Sequence, residues 1–232
     1  MEKHTNGFRR IAFVGNYLPR QCGIATFTTD LCAALTDRSI ECLAVAMNDR
    51  SERYEYPPPV RFTVEQNDLA GYSRAAQFLN NRVDLVNLQH EYGIFGGPAG
   101  SHVLTVLAEL RVRVVTTLHT VLREPTPEQR KVLEHIGRLS DRVVVMSRRG
   151  AEFLRQVYGI PAEKIDFIPH GIPDFAFVDP SFHKEQFDVS GKFVLMTFGL
   201  LGPGKGLESV IRALPAIIAR HPGVIYLIVG VT

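Results

Sequence analysis

The chain has 232 residues, a length that suits one large domain or one and a half ordinary ones. Its composition, 45% hydrophobic and 22% charged, is that of an ordinary globular protein with enough material for a sizeable core, and no apolar run approaches the length of a membrane-spanning helix. The net charge of +2, with scattered basic residues, gives no argument for nucleic-acid binding.

Short apolar runs alternate with segments of helical periodicity as far as Ile168. The predicted strands are 10–15, 41–47, 83–89, 112–118, 142–146 and 165–168. Apolar residues at helical spacing follow most of these runs, in segments that begin near Ile24, Leu69, Pro98, Pro127 and Arg148. Strands that alternate with helices of this length indicate βαβ units and a parallel sheet, so we expect an α/β fold.

Local signals mark several boundaries of these elements. The segment Thr126 to Gln129 has the form of a capping box, with Pro127 at the first helical position. Asp68 and Ser147 are predicted to cap the helices that follow them. The Pro-rich segment 57–59 indicates an irregular link.

The composition changes between 171 and 191 to Pro, Phe and mixed charges without periodicity, which is typical of an interdomain link. A strand at 193–198, a glycine-rich loop, a helix that Pro215 should bend and a strand at 224–229 follow. Two strands and one helix cannot enclose a core of their own. We therefore expect domains at 1–172 and 192–232, a linker at 173–191, and an incomplete second domain.

Polar residues follow four of the predicted strands at the point where each strand ends. They are the segment 16–23, His90 with Glu91, His119 with Thr120, and His170 with Gly171. In an open parallel sheet, the carboxyl ends of the strands border the ligand crevice. We expect these residues to meet in one cleft that binds a polar small molecule.

Two glycine-containing loops precede helices. The first loop lacks G-x-G-x-x-G, which disfavours NAD, but Gly23 and Ile24 still offer N–H groups to an anion. The second loop, Gly202 to Gly206, is not a Walker loop, and phosphate binding assisted by Lys205 and a plain tight turn are equally good interpretations.

Each histidine at a strand end has two interpretations. His119 is either a capped polar residue or a hydrogen-bond partner for a sugar hydroxyl, and the crevice position favours the second. His90 and Glu91 either bind a ligand or bond the backbone, and His170 either binds or shapes a hinge. The spacing of the three histidines gives little support to a zinc site.

The three cysteines, Cys22, Cys32 and Cys42, cannot all pair, and their even spacing matches no metal motif. Reduced thiols in a cytoplasmic protein are the simplest interpretation. Cys22 as a nucleophile is the alternative, but no general base adjoins it in sequence.

Taken together, these segments resemble the group 1 (family 4) retaining glycosyltransferases with the GT-B fold. The segments that carry the resemblance are the Gly23-Ile24 loop, His90 to Gly93, Thr117 to His119, Val144 to Ser147, Ile168 to Ile172, Phe198 to Leu201, and Pro203 to Leu207. Their order and spacing extend along most of the chain, which makes the resemblance far more specific than any single motif.

The resemblance implies two Rossmann-like domains that face each other across a cleft. The first would mainly hold the acceptor and the second the nucleotide-sugar, which acts as a co-substrate, so that no cofactor or metal is expected. His119 would be the catalytic residue that bonds the transferred sugar, and Lys205 would neutralise the diphosphate leaving group. The implied binding set also contains Gly23, Ile24, His90, Glu91, His170, Gly204 and Gly206.

Several positions depart from the family pattern. Cys22 replaces a glycine of the first loop, Leu200 replaces an arginine that would contact the diphosphate, Gly204 replaces a glutamate, and His170 replaces an asparagine. The paired-glutamate region of the family would lie beyond residue 232. We therefore expect a chain truncated within the second domain, with little activity of its own.

The expected function of the full-length protein is the transfer of a hexose from a nucleotide-sugar to a sugar, lipid or small-molecule acceptor. The alternatives are a non-catalytic carbohydrate- or partner-binding half-enzyme, or another GT-B enzyme such as a sugar-nucleotide epimerase or phosphorylase. We expect a cytoplasmic location, with peripheral membrane association as an alternative. The exposed strand at 224–229 predicts self-association.

Overall fold

A computed structural model describes residues 7–49, 54–172, 174–202 and 204–231. Pro173 of the predicted linker and Pro203 of the second glycine-containing loop lie outside the described residues. The chain divides into two units at the bond between Gly171 and Ile172. The separate linker and the roles of the two parts stay predictions.

The first unit is built on one seven-stranded parallel sheet, in the order β3-β2-β1-β4-β5-β6-β7. Helices accompany the strands, and β1 is buried at all but its first residue because both of its faces are covered. The strands are β1 Arg10–Gly15, β2 Glu41–Asn48, β3 Val60–Glu65, β4 Leu85–His90, β5 Arg113–Leu118, β6 Arg142–Val145 and β7 Ile165–Phe167. The helices are α1 Gly23–Thr36, α2 Leu69–Asn80, α3 Val103–Glu109, α4 Pro127–Leu139 and α5 Arg148–Gln156.

Two helix caps form as the sequence predicted. The hydroxyl of Thr126 accepts from the Gln129 N–H, and the Gln129 side chain accepts from the Thr126 N–H, which completes the capping box of α4. The hydroxyl of Ser147 accepts from the N–H of Gly150 at 2.9 Å. Asp68 occupies the N-cap of α2 without a capping bond, and its carboxylate pairs with Arg74 at 2.6 Å instead.

Two predicted elements differ in the structure. The residues after the Pro-rich segment form β3, a strand that the sequence did not predict. It is an edge strand in which only Val64 is buried, so its sequence lacks a continuous apolar run. The helix expected from Pro98 begins instead at Val103, because Ala99 and Gly100 have positive φ angles of 52° and 76°. A short 3-10 turn, Pro98–Gly100, takes the place of its first turn.

The loop after β4 is packed tightly against the loop after β3. The hydroxyl of Tyr72 donates to the carbonyl of Gln66 at 2.8 Å and accepts from the N–H of Gly96 at 2.9 Å. A Cβ atom at Gly96 would lie 2.0 Å from the Gln66 carbonyl oxygen. Only glycine therefore fits this approach of two backbones.

The second unit contains α6 Pro180–Gln186, β8 Phe193–Leu200, α7 Leu207–Arg220 and β9 Val224–Val231. The two strands pair in parallel. The helix α6 lies within the segment predicted to be irregular, and α7 continues through Pro215. No residue described in α7 is buried, and Phe193 and Phe198 are 72% and 77% exposed, so the described part of this unit has no enclosed sheet core.

Candidate ligand-binding cleft

Three segments far apart in sequence meet at the carboxyl edge of the first sheet. The ring of Phe27, near the start of α1, packs edge-on against His119 with the ring centroids 5.0 Å apart. The same ring lies 5.2 Å from His170. His119 directly follows β5, and His170 follows β7, so α1 and two strand ends border one site.

His119 is held by a buried glutamine of the neighbouring strand. Its Nε2 atom lies 2.7 Å from Oε1 of Gln89, which has no solvent exposure. The amide nitrogen of Gln89 donates to Oδ1 of Asn87. Because this bond makes Oε1 the acceptor, Nε2 of His119 carries the proton and Nδ1 keeps a lone pair.

His119 is neutral at neutral pH. Burial lowers its pKa to about 4, and the charge of the nearby His170 adds to that effect. A neutral imidazole with one unprotonated nitrogen can accept a hydrogen bond from a hydroxyl group. That chemistry is what contact with a sugar requires.

The two polar residues at the end of β4 have structural contacts. The ring of His90 is fully buried between Tyr92 and Phe95, and its nitrogens have no hydrogen-bond partner among the described residues. Burial, followed by the charge of His119, lowers its pKa to about 3. No surface of this ring is exposed in this structure, and ligand binding by His90 stays a prediction.

Glu91 joins two strand ends. One carboxylate oxygen accepts from the N–H of Tyr92 at 2.8 Å, and the other accepts from the hydroxyl of Thr120. These contacts match the second of the two interpretations, in which the strand-end residues bond to neighbouring protein groups. The side chain remains partly exposed, and ligand binding by Glu91 stays a prediction.

Hydrogen bonds and an ion pair of polar side chains hold the first loop, residues 16–23, in place. The carbonyl of the buried Asn16 side chain accepts from Arg20 at 2.9 Å, and Arg20 pairs with Asp49 at 2.9 Å. The sulfur of Cys22 is the N-cap of α1 and accepts from the N–H of Ala25 at 3.2 Å. Cys22 thus has a capping role that sequence reasoning did not assign to it.

The first two N–H groups of α1 remain open. Those of Gly23 and Ile24 donate to no group in the described part of the chain. A Cβ atom at Gly23 would meet nothing within 4 Å, so the domain itself does not require glycine there. Two free donors at a helix start form a favourable place for negative charge.

A cavity of about 250 Å³ opens beside His119, between the ends of β5 and β6 and the start of α5. Sequence reasoning did not find it, because its walls come mainly from apolar residues that also serve the core. The residues that line it are Leu118, His119, Val121, Val145, Met146, Ser147, Arg149, Gly150 and Phe153.

The second unit carries the other glycine-containing loop. Gly204 and Gly206 have φ angles of 86° and 73°, which only glycine adopts readily, and Gly206 is the N-cap of α7. This geometry accounts for the glycines as turn residues. Lys205 is exposed beside them, and phosphate binding by Gly204, Lys205 and Gly206 stays a prediction.

The described residues show neither a metal-binding cluster nor a membrane-spanning helix. They contain no group of three or more His, Cys, Asp or Glu side chains placed to hold a metal ion. No helix in them is long and apolar enough to cross a membrane.

The sequence profile of the family described as Glycosyltransferase Family 4 matches residues 22–174, which include α1, His119 and His170. No curated protein matches the chain.

Solved structures show the same fold. HepE of Anabaena, in complex with UDP and glucose, has a TM-score of 0.64 and 17% identity over 97% of this chain and 62% of its own. A glycosyltransferase from Rickettsia africae has a TM-score of 0.63 and 18% identity over 97% of this chain and 68% of its own. An α-glucosyltransferase in complex with UDP and a 13-mer DNA has a TM-score of 0.60 and 15% identity over 97% of this chain and 57% of its own.

These similarities confirm the predicted α/β fold class of the GT-B type. This chain spans 62% of the length of HepE and 57% of the length of the DNA-bound enzyme.

Proposed function

Because the chain belongs to glycosyltransferase family 4, we propose that the protein transfers a hexose from a nucleotide-sugar to an acceptor hydroxyl, with retention of configuration. The observation that carries the proposal is the meeting of the α1 start, His119 and His170 around Phe27. This site lies at the carboxyl edge of a parallel sheet, where such folds bind ligands.

The donor phosphates would contact the start of α1. The free N–H groups of Gly23 and Ile24 and the positive end of the helix favour the negative charge that collects on a departing diphosphate. Lys205, with the N–H groups near Gly204 and Gly206, would neutralise the diphosphate leaving group. Glu91 and His170 complete the proposed binding set.

His119 would hold the transferred sugar. Its Nδ1 atom is unprotonated while Gln89 occupies Nε2, so the ring presents an acceptor to a sugar hydroxyl. Its lowered pKa keeps it in this state at neutral pH. A charged imidazolium would lose this acceptor and would repel the cationic character that develops on the sugar ring.

The acceptor-side role belongs to the first unit in this proposal, and the second unit begins the nucleotide-sugar side. Since the chain spans 62% of HepE, we propose that this chain alone has little or no turnover. The three free cysteines support a cytoplasmic location as part of the proposal.

The test is product formation by the full coding product of the gene, incubated with labelled UDP-, ADP- and GDP-hexoses and a panel of acceptors. His119→Ala and Lys205→Ala are each expected to lower the rate by about 10² or more. His135→Ala, at a partly exposed position of α4, is the matched control and should retain activity. Absence of turnover with every donor contradicts the proposal.

A non-catalytic binding protein is the second candidate, and two observations favour it. Leu200 stands where the family commonly has a diphosphate-binding arginine, and the sulfur of Cys22 already occupies the Ala25 N–H. Saccharide binding that survives His119→Ala and Lys205→Ala, without turnover in the full coding product, would support this candidate. Product analysis separates transfer from epimerisation or phosphorolysis.

A further inference from the structure

The cavity beside His119 has no part in donor binding as proposed above. It lies within the first unit, and all of its walls come from the ends of β5 and β6, the segment after β5 and the first turns of α5. A cavity that shares His119 with the proposed sugar site is placed where an acceptor would enter.

The walls of the cavity are mainly apolar. Leu118 and Val145 are buried at its base, and Val121, Met146 and Phe153 form its sides. The apolar walls offer few hydrogen-bond partners to the hydroxyl groups of a saccharide. An apolar occupant needs no such partners, and its burial is favourable.

The size of the cavity suits one aromatic ring. An enclosed apolar cavity of about 150 Å³ binds benzene, and the cavity beside His119 is partly open to solvent. The volume beside His119 is about 250 Å³, which leaves room for a ring with one or two substituents. The half-buried ring of Phe153 offers an aromatic surface for edge or face contact with such a ligand.

The polar atoms of the lining are few. The hydroxyl oxygen of Ser147 accepts from Gly150 N–H, so its own proton is available for donation. The guanidinium of Arg149 lies 5.3 Å from the centroid of Phe153 and 3.2 Å from a carboxylate oxygen of Glu152. His119 is the remaining polar residue, and its two nitrogens are assigned to Gln89 and to the proposed sugar. This set can serve one or two polar substituents, which fits a phenol and not a sugar.

We propose that this cavity binds a phenolic acceptor, with the aromatic ring against the apolar walls and the hydroxyl toward the sugar that His119 would hold. The proposal rests on the proposed function and names its acceptor class. In the transfer, the phenolic oxygen forms a bond to the anomeric carbon as the bond from that carbon to the phosphate oxygen breaks. The nucleoside diphosphate leaves with the electron pair, and the phenolic proton passes to it.

The binding test uses this chain without any donor, by calorimetry and ligand-observed NMR, with 4-methylphenol and methyl glucoside as probes. Val121→Phe places a ring in the cavity, and we expect it to weaken 4-methylphenol binding by about tenfold or more. Val112→Phe, a partly buried valine just before the other end of β5, is the matched control and should change binding by less than about twofold. Circular dichroism checks that each variant is folded.

Absence of 4-methylphenol binding overturns the proposal, as does binding that Val121→Phe leaves unchanged. Preferred binding of methyl glucoside in a manner sensitive to Val121→Phe also overturns it. A full coding product that glycosylates sugars and no phenol overturns the acceptor role. Failure of the proposed function has a different signature, because it abolishes turnover with every acceptor and leaves phenol binding intact.

Discussion

The Nε2 atom of His119 lies 2.7 Å from Oε1 of Gln89, a residue without solvent exposure. The register of β4 and β5 places Gln89 opposite Thr117, two residues before His119. The acceptor for the imidazole is therefore held by the sheet and not by a mobile loop. A rigid partner of this kind fixes both the orientation and the protonated nitrogen of the ring.

Gln89→Met should allow His119 to adopt both neutral tautomers, because the acceptor for its Nε2–H is lost. The substitution keeps the length of the side chain and removes the acceptor, so we expect a loss of about 1–2 kcal/mol in the free energy of unfolding. The ¹⁵N shifts of His119 should change from a single Nε2–H form to a mixture. Gln66→Met, which removes a more exposed bond to the Gly93 carbonyl, is the control and should leave those shifts unchanged.

Phe27→Ala should raise the pKa of His119. Burial is the main cause of the depression to about 4, and the Phe27 ring covers one side of the imidazole. NMR titration of the His119 ring protons measures the shift toward the ordinary value. Phe8→Ala, which truncates a phenylalanine that is 42% exposed, serves as the control. An unchanged pKa in Phe27→Ala would show that other contacts exclude water from this site.

The first unit should lose stability in acid through His90. The folded-state pKa of this residue is about 3, below its ordinary value of 6.5, so the unfolded chain binds the proton more readily. The stabilising contribution is therefore complete above pH 6.5 and decreases as pH falls from 6.5 toward 3. The expected slope is about 1.4 kcal/mol per pH unit for this one group. His119 adds a loss of the same sign between 6.5 and about 4.

His90→Phe isolates that contribution. A phenyl ring fits between Tyr92 and Phe95 and has no nitrogen to leave unpartnered. Urea unfolding between pH 7.5 and 4.5 should give a flatter stability curve for the variant than for the parent chain. Equal slopes would contradict the assignment of the acid loss to His90.

Cys22 can be tested as a helix cap. Cys22→Ser keeps an acceptor at the N-cap of α1 and should preserve stability, whereas Cys22→Ala should cost about 1 kcal/mol. Urea unfolding midpoints of the two variants measure the difference. Ser147→Ala, at the N-cap of α5, calibrates the loss expected from a cap of the ordinary kind. Equal stability of Cys22→Ala and Cys22→Ser would argue against the capping role.

The chain should associate through β9. This strand pairs with β8 on one side, and in the described residues no strand pairs with its other side. Ile228 is 44% exposed, and Ile228→Lys should weaken association because lysine on an edge opposes strand pairing. Sedimentation velocity over a range of concentrations measures it. Ile211→Lys, at a residue of α7 that is 50% exposed, is the control, and a chain that stays monomeric at high concentration would contradict the prediction.

The sequence predicted most of the first sheet because most of its strands appear as short apolar runs with several buried residues. The edge strand β3 has only Val64 buried, so its pattern carries no such run. The helix start near Pro98 was wrong because the positive φ of Ala99 depends on tertiary packing and not on a local signal.

The candidate site was predictable in part. Position after a strand is a property of sequence, and it located His119 and His170. Whether such a residue faces solvent depends on the packing of Phe95 and Tyr92, which concealed His90. Gln89 was missed, although Asn87 and Gln89 alternate with apolar residues in a buried strand. That alternation was the available signal for a buried polar network.

Gly96 gives the loop after β4 a different kind of constraint from that on the residues of the candidate cleft. Its missing side chain lets the chain pass within contact of the Gln66 carbonyl, while the hydroxyl of Tyr72 joins the two segments. Related proteins can exchange the residues that face the cleft one at a time, and so change ligands in small steps. A side chain at Gly96, by contrast, requires both loops to be rebuilt together, which makes this pair of loops slow to diverge.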